Sequence, residues 1–313
     1  MTLKKIIRHC SKRIKRVAVR LANYRFKGKQ RCKEGVYFIL DNKHLQKHPG
    51  LMDRMKAIVG MYYIAKANGM DFYLIHDASF KMNRYLRPNK VKWECQESEV
   101  SDSIFDTRIL VYDPYAPIPR LKSIGVQWHC YEYIGRNILE QNQIENWECE
   151  WKKCYDELFV PSDLLISLIQ KNKPAERFVG IHLRFVNALG IFEDAAVNSV
   201  LPDVKKESLI RQCIQAIQTI QSNVNYPVVV FSDNSLFLQR VNKIGIQTLG
   251  DRNIRHVSFS ADTNSIDKTF IDAYVLAEAE SVYAIQGHSL YASAFSKYAA
   301  IIGGKPYYVY DIE

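Results

Sequence analysis

Apolar side chains near the start of the chain recur at alternating steps of four and three: Leu3, Ile7, Cys10, Ile14, Val17, Leu21 and Tyr24. That spacing places them on one stripe of a helix whose other faces are filled by Lys and Arg. From about residue 35 the pattern changes. GVYFIL (Gly35–Leu40) is an unbroken apolar run of strand length. A helix is predicted from near Pro49 to Asn68-Gly69, where the Gly stops it. DFYLIH (Asp71–His76) supplies a second strand, so residues 35–76 make a βαβ unit. Signals are sparser over 77–150, with short strands at Thr107–Tyr112 and Ile124–Trp128 between Pro-containing turns. A helix over Tyr155–Lys171, ended by Lys173-Pro174, joins this half to the next.

The second half alternates more clearly. Strand Arg177–Leu183, helix Lys206–Ser222 and strand Pro227–Phe231 follow in order. A short helix from Asn234 leads to a weak strand near Ile246. Helix Asp267–Ala279, strand Val282–Ile285, helix Leu290–Ile302 and strand Pro306–Tyr310 complete the chain. Strands alternating with helices imply mostly parallel sheets with crossovers on both faces. The reading is an α/β protein with a basic N-terminal arm over 1–33. A Rossmann-like α/β/α domain follows over 34–170 and another over 171–313, the two facing a cleft.

Charge sharpens this division. The 313 residues carry 43 Lys and Arg against 33 Asp and Glu, a net +10. Residues 1–33 hold 13 of the basic side chains and no acidic one, so the remainder has 30 against 33 and is slightly acidic. A cationic amphipathic helix suits an anionic lipid surface, where apolar groups bury shallowly and bases meet headgroups. A helix packed on the body, an organelle transit peptide and a nucleic-acid arm are the competing readings. Aromatics for base stacking are nearly absent from the arm, which disfavours the last. No apolar run is long enough to span a bilayer and no secretory leader is visible, so the expectation is a soluble or membrane-surface protein. Seven scattered cysteines without Cys-x-x-Cys fit a reducing compartment.

Open α/β sheets bind ligands at the carboxyl ends of their strands. FVGIHL ends at Arg184, with His182 two residues earlier on the same face. An Arg there is a bidentate donor for phosphate oxygens, or else a partner in an interdomain salt bridge. Gln286-Gly287-His288-Ser289-Leu290-Tyr291 lies between strand and helix. Gly287 permits a tight turn and Ser289 is predicted to cap the helix, leaving free N–H groups for an anion, unless it is an ordinary cap. Phe231-Ser232-Asp233-Asn234 ends another buried strand, and Asp233 is expected either to cap the next helix or to reach a ligand. Gly-x-Gly-x-x-Gly, P-loop and His-Glu-x-x-His patterns are missing, as is an Asp-x-Asp pair for a metal-held nucleotide diphosphate. Tyr291 stands where a hydrolase elbow needs Gly, which disfavours a Ser289 nucleophile.

GIHLR at Gly180–Arg184, FSDN at Phe231–Asn234 and the block DAYVLAEAESVYAIQGHSLYASAFSKYAA from Asp272 resemble three ordered motifs of the fucosyltransferase superfamily. HPGLMDRMKAIVGMYYIAKANG, above all Gly50-Leu51-Met52-Asp53-Arg54, resembles that family's first glycine-rich loop and helix. The similarity spans most of 48–76 and 176–310. It departs at Phe185-Val186-Asn187, where several branches have a second Arg and an Asp. It departs again at His288-Ser289-Leu290-Tyr291, which replaces Ser-Ser-Phe-Ser.

The resemblance implies a GT-B fold and inverting, metal-independent transfer from a GDP-sugar, GDP-fucose in the first place, with no other cofactor. By position Arg184 would hold the β-phosphate, His182 would lie beside the nucleotide, Asp272 would contact the guanine and Ser289 would sit at the diphosphate turn. Ser232, Asp233, Gly287 and His288 complete the expected donor set. Asp53 falls where the family has an Asn or Asp near the sugar, and Asp53 and Asp77 are the candidate bases. The expected acceptor is a bacterial surface glycan, such as lipopolysaccharide, or its lipid-linked precursor. The enzyme would then work at the cytoplasmic face of the membrane. Alternatives are another nucleotide sugar, or a non-catalytic nucleotide- or sugar-binding protein of the same fold.

Overall fold

A computed structural model describes residues 3–28, 33–41, 50–113, 115–122, 125–131, 136–174, 176–190, 200–249, 262–287 and 289–312. The chain divides into two units. One holds most of residues 1–160, and the other holds Pro161–Glu313 together with Gly50–Met52 and Arg84–Leu86.

The first unit begins with helix α1 (Leu3–Asn23), as the apolar spacing predicts. Strand β1 (Gly35–Leu40), helix α2 (Leu51–Ala67) and strand β2 (Phe72–His76) form the expected βαβ unit, with β1 and β2 parallel and Leu40 opposite His76. A short strand β3 (Leu86–Pro88) is followed by β4 (Thr107–Ile109) and β5 (Gln127–Cys130). The strands make a parallel sheet in the order β2-β1-β5-β4. Every residue of β1 is buried, which is why it reads as a continuous apolar run rather than an alternating one. Tyr24, Tyr37, Ile39, Ile109 and Tyr131 cluster on one face of this sheet, with Val19 of α1 packed against them.

Helices α3 (Ile138–Gln141) and α4 (Trp147–Leu158), strand β6 (Phe159–Pro161) and helix α5 (Asp163–Asn172) come next. The single helix expected over Tyr155–Lys171 is thus two helices with a strand between them. Pro161 cannot continue α4, and the Ser162 side chain accepts from Leu165 N to start α5 afresh.

In the second unit the order is β7 (Val179–Leu183), α6 (Asp203–Asn223), β8 (Val228–Ser232), α7 (Ser235–Lys243), β9 (Gln247–Thr248), α8 (Thr263–Glu278), β10 (Val282–Gln286), α9 (Ala294–Gly303) and β11 (Tyr307–Asp311). Its sheet is parallel throughout, in the order β11-β10-β7-β8-β9. Ile181, Leu183 and Phe185 pack against Cys213 and Ile217 of α6 and Phe237 of α7, all essentially excluded from water. Full burial of such side chains contributes about 1.5–3 kcal/mol each, which fixes the strand ends that carry polar groups. Tyr85, brought in with the 84–86 segment, stacks on Phe270 of α8 at 4.0 Å between ring centroids and donates its hydroxyl to Asp267.

Candidate functional site

Strand order locates a site before any side chain is considered. From β7 the chain winds outward to β8 and β9, then returns through α8 to β10 on the other side of β7. The winding reverses between β7 and β10, and in open α/β sheets ligands bind beyond the carboxyl ends of the strands at such a switch point. Arg184 leaves β7 on this edge. Gly287 and Ser289 follow β10, and Ser232 and Asp233 end β8, the neighbour of β7. Five of the predicted residues are therefore brought to one edge of one sheet. His288 lies outside the described residues.

Arg184 is held on two sides. Its guanidinium lies over the Tyr291 ring, 5.0 Å from the centroid, and its Nε is 3.8 Å from Asp233 Oδ2. Its main-chain carbonyl accepts from Tyr291 N at 2.8 Å, which ties the loop after β10 to the end of β7. The side chain keeps 21% exposure, so the cation is oriented by protein and still meets solvent.

Asp233 does not cap α7, the first of the two parts foreseen for it. Asn234 caps that helix, accepting from Phe237 N. The Asp233 oxygens accept from Phe185 N at 2.8 Å and Val186 N at 2.9 Å. Val186 has φ +50°, a left-handed conformation that is costly for a β-branched residue, and this carboxylate clamp holds it there. Burial pushes the Asp233 carboxyl above its ordinary range, against the pull of these N–H groups and Arg184. Ser232 Oγ accepts from Asn234 N, so it too is occupied with the turn.

The expected cap at Ser289 is not formed. Helix α9 starts at Ala294 and is capped by Ser293, whose hydroxyl accepts from Phe295 N. The Tyr291–Arg184 main-chain bond holds the segment alongside β7 for several residues before a helix begins, so Ser289 sits in a loop. The approach there is close. A Cβ on Gly287 would lie 2.7 Å from Ile312 Cγ1 and from Ile312 O, a separation only glycine accommodates.

His182, near the end of β7, is buried and stacks on Phe295 with ring centroids 5.4 Å apart. Burial, aided by the charges of Arg184 and Lys268, lowers its pKa to about 3, so the imidazole is neutral at physiological pH. Asp272 on α8 accepts from Lys268 Nζ through both oxygens, at 2.6 and 2.7 Å, one helical turn apart. Burial raises the Asp272 carboxyl against the influence of that ammonium. Tyr291, Phe295 and Lys268 were not singled out as site residues from the sequence. Only Lys268 left a trace, its four-residue spacing from Asp272.

The other two candidates belong to the first unit. Asp53 lies in the first turn of α2 with Lys56 Nζ 2.6 Å away, a position that also suits the helix dipole. Asp77 follows the carboxyl end of β2, is exposed, and lines a cavity of about 500 Å³ together with Lys81, Asn83, Glu94 and Gln96. Among the described residues no three His, Cys, Asp or Glu side chains converge as metal ligands would.

Comparison with protein-family models and with curated proteins gave no match. Solved structures do match. Fucosyltransferase NodZ from Bradyrhizobium is 13% identical, with 86% of this chain and 93% of that chain covered and a TM-score of 0.56. A NodZ alpha-1,6-fucosyltransferase soaked with GDP-fucose matches over the same shares at 13% identity and a TM-score of 0.53. A mutant of Arabidopsis thaliana FUT1 in complex with GDP is 13% identical, with 94% of this chain and 74% of that chain covered and a TM-score of 0.52. The chain has the GT-B-type α/β fold of these fucosyltransferases.

Proposed function

We propose that this protein is an inverting glycosyltransferase that takes its sugar from a nucleotide diphosphate, with GDP-fucose the donor best supported. The observation that carries the reading is Arg184 at the topological switch point, oriented by Tyr291 and Asp233. A guanidinium fixed there pairs with phosphate oxygens in two parallel hydrogen bonds. The fold is shared with proteins solved with GDP or after soaking with GDP-fucose, which supports a guanosine nucleotide.

Transfer breaks the bond between the anomeric carbon and the diphosphate while an acceptor hydroxyl forms a new bond on the opposite face. Negative charge grows on the departing diphosphate. Arg184 meets that charge without reorganising, the kind of preorganised donor worth a few kcal/mol. Because this side chain supplies the countercharge, the proposed reaction proceeds in EDTA. Neutral His182 is not the acid that protonates the leaving group near neutral pH. A carboxylate accepts the acceptor proton. Asp77 is favoured over Asp53 because it borders a cavity with room for a polyhydroxyl group. A bacterial surface glycan or its lipid-linked precursor is the proposed acceptor, and the cytoplasmic membrane face the proposed place of work.

Calorimetry on the full chain in EDTA, comparing GDP, GDP-fucose, UDP, CMP and ADP, tests the reading. Expected are micromolar GDP binding, a loss of about a hundredfold in Arg184→Ala and partial rescue in Arg184→Lys. Preference for UDP or CMP would move the donor to another nucleotide sugar. Tight GDP binding without transfer to any glycan acceptor would make the protein a binding module.

A further inference from the structure

Between Cys10 and Leu21, helix α1 presents apolar side chains to solvent, whereas Tyr24, the last apolar position of the predicted stripe, is buried in the body. At about 100° per residue, Cys10, Ile14, Val17 and Leu21 fall within roughly 60° of one another. All four are exposed, Ile14 to 69% and Leu21 to 74%. Val19 lies on the opposite side of the helix and is the residue that packs against the first unit's core. The helix is therefore attached at its C-terminal end, through Val19, Arg20 and Tyr24, and the side chains of Cys10, Ile14, Val17 and Leu21 are left to solvent.

The attachment is firm. The hydroxyl of buried Tyr24 hydrogen-bonds His129 Nδ1 at 2.6 Å and the Tyr131 hydroxyl. Arg20 donates to Ile104 O at 3.1 Å, Arg25 N donates to Asp102 O at 2.7 Å, and Lys27 pairs with Asp102 at 2.9 Å. These bonds stop the helix from rolling to bury its stripe. At its base two further apolar groups stay in the open: Phe26, 83% exposed, meets Phe105, 48% exposed, edge to face.

We infer that α1 and the Phe26–Phe105 pair form a membrane-surface anchor for anionic lipid. Thirteen basic and no acidic side chains over residues 1–33 supply the charge complementarity; on the helix Arg13 and Arg20 border the stripe on one side, and Arg16 lies on the polar face. The apolar groups enter the acyl boundary while the bases stay at the headgroups. Phe side chains belong to the apolar face that such helices bury. Because the helix is strapped at residues 20–27, the anchor fixes the orientation of the first unit to the bilayer as well as its proximity. The anchor does not depend on which sugar the protein transfers, or on whether it transfers one.

Co-sedimentation of the full chain with vesicles of phosphatidylcholine, alone or with about 30 mol% phosphatidylglycerol, tests this. Binding at least tenfold stronger to the anionic vesicles is expected, weakening with salt. Ile14→Ser with Leu21→Ser should weaken it about tenfold or more, as should Arg13→Gln with Arg16→Gln, whereas Val204→Ser on the second unit should not. Circular dichroism and nucleotide calorimetry on the same variants separate loss of the anchor from loss of folding or of the donor site. Equal binding to neutral vesicles, indifference to the stripe variants, binding to duplex DNA but not to vesicles, or dimers that part on Leu21→Ser would each overturn the anchor.

Discussion

Asp233 approaches Arg184 from the side, with Oδ2 3.8 Å from Nε, while spending its hydrogen bonds on the main chain of Phe185 and Val186. The carboxylate thus shapes the turn that carries the guanidinium and neutralises it only in part. Its replacement is expected to act on stability first. Asp233→Ala leaves two N–H groups unpaired and releases Val186 from its left-handed conformation, a loss of about 1–3 kcal/mol in urea denaturation. Asp233→Asn keeps one acceptor and should lose less. GDP affinity should fall in the same order if the clamp positions Arg184.

His182 gives the fold an acid limb. Its folded pKa of about 3 lies below the ordinary value of 6.5, so only the unfolded chain takes up this proton between the two. Stability from this residue is complete above about pH 6.5 and declines as pH falls toward 3. Denaturation at pH 7 and pH 5 should show His182→Gln losing about 2 kcal/mol less than the parent over that interval. The raised carboxyls of Asp233 and Asp272 act with the opposite sign, and their part should persist in the variant.

Gly287 is expected to be intolerant of even one methyl group. In Gly287→Ala the new Cβ meets main-chain atoms of Ile312, so either the loop after β10 or the end of β11 must move. Calorimetry should report weaker nucleotide binding, and thermal unfolding a loss of about 1–3 kcal/mol.

The two candidate bases separate kinetically. Asp77→Asn should lower kcat about 10²-fold or more with donor binding intact, the signature of a lost proton acceptor. Asp53→Asn should instead cost a few tenths of a kcal/mol of stability through α2 and Lys56. A reversal of these outcomes would move the base to Asp53.

Much of the fold was legible because buried parallel strands announce themselves. Gly35–Leu40 has the predicted limits, and the strands ending at Leu183, Ser232 and Gln286 lie within two residues of theirs. The resemblance to fucosyltransferases, carried by short motifs in order, gave the same fold that the solved structures show. What was misread depends on contacts distant in sequence. The start of α9 is delayed by a bond from Tyr291 to Arg184, and no local cap preference at Ser289 reveals that. The duty of Asp233 likewise depends on Val186 standing opposite, in a conformation that a valine does not advertise. The break between α4 and α5 was different. Pro161-Ser162 marks it in plain sight, but apolar spacing on both sides of the break outweighed that signal.

The Tyr85–Phe270 stack carries a consequence for how the chain is made. Tyr85 leaves the ribosome long before Phe270 and Asp267 exist, so this stack and this hydrogen bond form only when most of the second unit has been synthesised. Domains generally complete themselves in order during synthesis. Here the later unit keeps a place for a segment translated earlier, and its completion is a post-translational event. Cutting the gene at residue 160 would give a second half lacking that aromatic plug, and co-expression of the two halves would be needed to return it.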